Sequence, residues 1–99
     1  MMKSQKFENV WDALTDTPEE ALNLTFRSDL MSSIEKVVES WGVTQTEAAT
    51  RLGLTRPRLN DLLRGKLSKF SLDALTTLAT RAGLRVQMTV KKMQAKRAA

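Results

Sequence analysis

Two periods of apolar residues organise this chain. Leu22, Phe26, Leu30, Ile34, Val37 and Trp41 return every three or four residues, one stripe of an amphipathic helix. Thr17-Pro18-Glu19-Glu20 stands before them as a capping box with proline at the first helical position, and Gly42 follows in the usual C-cap place. The spacing predicts a helix over 18–41, ~36 Å long if unbroken at ~1.5 Å per residue. Thr25 and Ser28, the latter a second N-cap candidate before Asp29, leave open a division into two. Trp41 is expected in the core.

Three shorter helices follow. Thr44-Gln45-Thr46-Glu47 is a second capping box, behind which Ala48, Ala49 and Leu52 face inward until Gly53 stops the run. Thr55 caps a third helix, Arg56 to Arg64, which tolerates Pro57 because first-turn amides have no helical partner. Leu59, Leu62 and Leu63 form its narrow core stripe, and Gly65 closes it. Ser71 caps a fourth through Leu72, Leu75, Leu78, Ala79 and Ala82, ending at Gly83. Beyond Gly83 the period drops to two. Val86, Met88 and Val90 alternate with Arg85, Gln87, Thr89 and Lys91, predicting one short strand over 85–91. A single strand cannot satisfy its own backbone groups, and no second convincing strand exists in the sequence. The expectation is antiparallel pairing with the same strand of a second copy across a two-fold axis, which also closes a sticky edge. At the other end, Phe7, Val10, Trp11 and Leu14 share one face of a short acidic helix, Phe7–Leu14. Two readings stand for it: an anchor for a basic partner, with the aromatics as hot spots, or packing on the chain's own core or dimer mate.

Composition narrows the functions. With 99 residues the chain holds one small domain, divided as segment 1–16, helical domain 17–84, strand 85–91 and basic tail 92–99. Having no Cys, it has no disulfide, thiolate metal site or cysteine nucleophile, and having no His it lacks the side chain most used as a general base near neutral pH. Ser, Asp and Lys are plentiful, but no spacing organises them for catalysis or metal binding, so no enzyme, cofactor or metal is expected. Three Phe, two Trp and no Tyr leave little for stacking single-stranded bases. The sequence shows neither an export signal nor an apolar run of membrane-spanning length, and a cytoplasmic protein is expected.

The net charge of +5 conceals an asymmetry. Residues 1–42 carry eight acidic against four basic side chains, whereas residues 43–99 carry twelve basic against three acidic. The basic half suits a polyanion, the plainer alternative being a solvated surface. Within it, residues 43–66 place two capped helices around a tight Gly53-Leu54-Thr55 turn, with small Ala48 and Ala49 allowing close crossing. What remains outward on the second of these helices is Arg56, Arg58, Asn60, Asp61 and Arg64. Arg and Asn are the side chains that read guanine and adenine edges bidentately in the major groove. Arg56 and Arg58 at a helix N-terminus oppose the helix dipole and repel one another, a penalty an anionic ligand would remove. Arg64 and Lys66 are equally explained by the dipole at a helix C-terminus, Gln45 by its capping box, and Asn60 by local hydrogen bonding. Asp61 is expected to orient Arg58 or Arg64.

The ordered set Thr44-Gln45, Glu47-Ala48-Ala49, Leu52-Gly53-Leu54-Thr55-Arg56-Pro57-Arg58, Asp61-Leu62-Leu63-Arg64-Gly65-Lys66 and Phe70-Ser71-Leu72-Asp73 resembles the helix-turn-helix of the Cro/repressor (XRE) family. With Thr17-Pro18-Glu19-Glu20-Ala21 it is similar to the HigA-like antitoxin branch, and the resemblance runs from about residue 7 to residue 90. It implies an all-α, lambda-repressor-like bundle of four to five helices, with the C-terminal strand (Val86, Met88, Val90) paired across a homodimer. It implies base contacts from Arg56, Arg58 and Asn60, and phosphate contacts from Gln45, Thr55, Arg64, Lys66 and Lys69. Pro57 and Asn60 stand where broader family members carry Ser or Thr, which leaves base preference open. The function implied is a sequence-specific repressor on palindromic double-stranded DNA, serving as antitoxin of a type II toxin–antitoxin operon. Such a protein regulates its own operon and neutralises a RelE/HigB-like RNase toxin, with Phe7, Val10, Trp11 and Leu14 as candidate toxin contacts. The alternatives are a stand-alone XRE-family regulator and a protein-interaction module that does not bind DNA.

Overall fold

A computed structural model describes residues 17–93. Four α-helices and one 3-10 turn form the described chain: α1 Pro18–Trp41, α2 Gln45–Leu52, α3 Arg56–Leu63, the turn Leu67–Lys69, and α4 Leu72–Arg81. Each α-helix starts where a hydroxyl accepts an otherwise unpaired first-turn amide. Thr17 Oγ1 accepts from the Glu20 amide at 3.1 Å, Thr44 Oγ1 from Glu47 at 3.1 Å, Thr55 Oγ1 from Arg58 at 3.3 Å and Ser71 Oγ from Ala74 at 3.0 Å. The second capping box closes only from the Thr44 side, because the Glu47 carboxylate turns along the helix to Arg51, 3.2 Å away. The division left open at Thr25 and Ser28 does not occur. α1 runs unbroken for 24 residues, and the Thr25 hydroxyl donates to the Ala21 carbonyl one turn back.

α1 packs chiefly on α4, and α2 on α3. Met31, Ile34 and Val38 from α1, Ala48, Ala49 and Leu52 from α2, Leu59 and Leu62 from α3, and Leu75, Leu78 and Ala79 from α4 close around Phe70 in one core. No polar or charged side chain is buried among the described residues. This core corrects the stripe expected on α1. Leu22 is 55% and Phe26 42% exposed, while Met31 and Val38, absent from the expected set, are buried. The reason is length: α1 is two to three times as long as the helices it packs on, so its first half runs past them. Along the embedded half, the face centred on Met31, Ile34 and Val38 turns inward. Trp41 sits at the core's edge, half-buried, with the Arg51 guanidinium 4.9 Å over its ring centroid.

Gly53 is the one position where the turn between α2 and α3 demands glycine. Its φ is +71°, and an added Cβ would lie 2.6 Å from Arg81 Nη1, which donates to the Leu52 carbonyl at 3.0 Å. The C-terminal segment differs from expectation. Leu84 packs against the core, but no strand occurs among the described residues, and Val86, Met88, Val90 and Met93 are exposed. A ladder needs a partner, and none of the other described residues supplies one. Residues 86–89 instead border an open groove with Phe26, Asp29, Leu30 and Ser33 of α1 and with Leu72 and Thr76 of α4. Phe7, Val10, Trp11 and Leu14 lie outside the described residues.

Candidate nucleic-acid interface

α3 is anchored by Leu59 and Leu62, both completely buried, which fixes the opposite face outward. Arg56 and Asn60, four residues apart, share that outer face, and Arg64 caps the helix one turn further on, its amide donating to the Asn60 carbonyl at 3.0 Å. All three are exposed. α3 carries no acidic residue in its first turn, so the positive end of its dipole adds to the charge of Arg56. Gln45 begins α2 and is exposed, as is Thr55, whose hydroxyl faces the α3 amides as cap. Arg56, Arg64 and Lys69 have no acidic partner among the described residues. An exposed ridge of unneutralised guanidinium groups with an amide between them can hydrogen-bond base edges and phosphates.

Two expectations about α3 change. Asp61 orients neither Arg58 nor Arg64. It pairs with Lys66 across 3.4 Å, and its carbonyl accepts the Lys66 amide at 3.1 Å, drawing the chain after α3 back onto the helix. Arg58 departs from the ridge altogether. Half-buried, it donates through Nη1 to the Lys69 carbonyl at 2.8 Å and lays its guanidinium 4.1 Å above the centroid of Phe70, itself 1% exposed. Sequence spacing puts Arg58 at the start of the helix but says nothing of an aromatic ring arriving beside it from twelve residues later. Of the residues expected at bases, Arg56 and Asn60 lie together on the surface and Arg58 is tied inward.

One structural arginine went unforeseen. Arg27 Nε donates to Asn23 Oδ1 at 2.7 Å, and its Nη1 donates to the carbonyls of Leu67 and Phe70 at 3.0 and 3.2 Å. A signal for it existed. Arg27 falls four positions before Met31 and seven before Ile34, so it is a cation on the very face that enters the core. No described helix is long and apolar enough to cross a membrane, and no group of three or more His, Cys, Asp or Glu that could hold a metal ion occurs among the described residues.

Comparison with known proteins agrees with this arrangement. The family model described as a helix-turn-helix domain matches residues 13–91. A solved structure assigned to the XRE family of transcriptional regulators is 28% identical, with a TM-score of 0.69, and the match covers 78% of this chain and 86% of that one. No curated protein matches the chain. The capped α2, the glycine turn at positive φ and the outward α3 fit this match, and the chain belongs to the helix-turn-helix domain family, with a fold similar to that of an XRE-family regulator.

Proposed function

We propose that this protein is a sequence-specific, DNA-binding transcriptional repressor that lays α3 in the major groove. The observation carrying this reading is the exposed line Arg56, Asn60 and Arg64, free of acidic partners and backed by the fully buried Leu59 and Leu62. Arg56 and Asn60 contact base edges, while Gln45, Thr55, Arg64, Lys66 and Lys69 meet phosphates. Titrating salt against fluorescence anisotropy of a duplex selected by the protein from a random library tests it. Arg56→Ala is expected to cost ~1–3 kcal/mol on that duplex and to relax its sequence preference. Unchanged affinity and preference would remove α3 from the groove.

The reading extends to a homodimer on a palindromic operator, with half-sites about 34–36 Å apart. Exposed Val86, Met88 and Val90 and the open backbone around them support pairing between two copies. It extends further to an antitoxin role, resting on the resemblance to the HigA-like branch and on the acidic half of the chain, which suits a small basic toxin. Phe7, Val10, Trp11 and Leu14 would be the toxin contacts. Co-purification of a basic RNase-like protein encoded beside it tests this extension, and its absence from the operon would leave the stand-alone regulator.

A further inference from the structure

The turn after α3 is short and is held largely by bonds to neighbouring elements. Leu67–Lys69 is a 3-10 helix of three residues without a side-chain cap, a geometry of poor hydrogen bonds rarely sustained alone. Beyond the backbone bonds from Lys69 to the Lys66 carbonyl and from Phe70 to the Leu67 carbonyl, its carbonyls accept from two arginines of different elements. Arg27 of α1 donates to Leu67 and Phe70, and Arg58 of α3 donates to Lys69 while stacking on the Phe70 ring. Three of four consecutive carbonyls thus accept from a guanidinium. The planar fork of Arg27 holds three acceptors in fixed directions, serving Asn23 through Nε while Nη1 bridges two carbonyls. Between these anchors, Ser68 and Lys69 are exposed, and the Lys69 ammonium has no acidic partner among the described residues.

We infer that Arg27 and Arg58 are positioning residues that lock the Lys66–Phe70 turn so that Lys69 meets a DNA phosphate from a fixed backbone, and that Arg58 does not read a base. The inference rests on the DNA-binding reading for its phosphate and on geometry alone for its clamp. Lysine at either position keeps the charge but loses the fork. The role differs from base reading in one measurable respect: a phosphate contact strengthens binding to every sequence alike, whereas a base contact separates one sequence from another.

The test compares wild type, Arg27→Lys, Arg58→Gln, Lys69→Ala and Arg58→Gln/Lys69→Ala on two probes, the duplex selected from a random library and a scrambled duplex of equal length. Arg58→Gln is expected to weaken both roughly three- to tenfold, keep their ratio, lower the salt slope by about one, and add nothing once Lys69 is already alanine. A collapsed ratio makes Arg58 a base reader and overturns the inference, as do fully additive losses or no loss. Amide hydrogen exchange on the free variants reads the clamp without DNA. Faster exchange at Leu67, Lys69 and Phe70, with the α1 and α4 amides unchanged, supports it, and unchanged exchange at those three overturns it. Should wild type bind neither duplex, the repressor reading fails and with it the phosphate role, while exchange still decides the clamp.

Discussion

Around α2 and α3 the chain closes upon itself. Thr44 and Thr55 cap the helices, Ala48, Ala49, Leu52, Leu59 and Leu62 are buried, and Arg81 takes the last carbonyl of α2. Along the start of α1 up to Phe26 and along residues 86–93 the apolar side chains are not enclosed. There Leu22, Phe26, Val86, Met88, Val90 and Met93 stay exposed, beside backbone that belongs to no helix and no sheet. The difference separates surface satisfied within one chain from surface left open for the proposed second copy. The first region presents a rigid ridge because what lies beneath it is satisfied within one chain, and the second leaves apolar side chains uncovered, the surface that the proposed pairing of two copies would bury.

Substitutions can break or sharpen that contrast. The largest effect belongs to Leu59→Ala, in the closed region, expected to lower unfolding free energy in urea by ~2–5 kcal/mol. Met88→Lys, at a side chain 78% exposed, is expected to leave dilute-protein stability within ~0.5 kcal/mol while weakening self-association in sedimentation equilibrium. Equal losses of stability at both sites would erase the distinction. Gly53→Ala comes next. Positive φ costs ~1–2 kcal/mol for an alanine, and the new methyl must also displace Arg81 from the Leu52 carbonyl, so a thermal melt unchanged by this substitution would contradict the tight turn. The smallest effect concerns Glu35 on α1. Partial burial, with Glu39 adding its charge, raises its carboxyl above the ordinary value. The folded state therefore holds this proton more tightly than the unfolded chain, and stability falls as pH rises from the ordinary carboxylate range through the raised value. Glu35→Gln removes that decline, gaining no more than ~0.5 kcal/mol near neutral pH for so partly exposed a group. Urea titrations at several pH values check it, and a gain that grew on acidification would reverse the sign.

Sequence alone located the caps at Thr17, Thr44, Thr55 and Ser71 and the ends at Gly42 and Gly53, because a cap is a local bond between residues three apart. It erred where the answer depends on what lies across the fold. Leu22, Phe26, Leu30 and Ile34 make a regular row, yet which part of a long helix is covered is decided by the lengths of its neighbours. The same holds for the site. Arg56 and Asn60 were legible as an outward pair from the inward leucines between them, whereas Arg58 and Arg27 are governed by carbonyls and a ring 11 to 43 positions away. Asp61 found Lys66 rather than an arginine because the chain folds back after α3. At 85–91 alternation alone cannot form a ladder, and no described residue pairs with it.

Trp41 stands at the joint between the longest helix and α2, with a guanidinium parked on its ring. The chain has a single other indole, at position 11, so a Trp11→Phe protein would carry one intrinsic fluorophore at this joint. Its emission would register an event that draws Arg51, in the last turn of α2, away from the ring, giving this protein an optical readout with no dye attached.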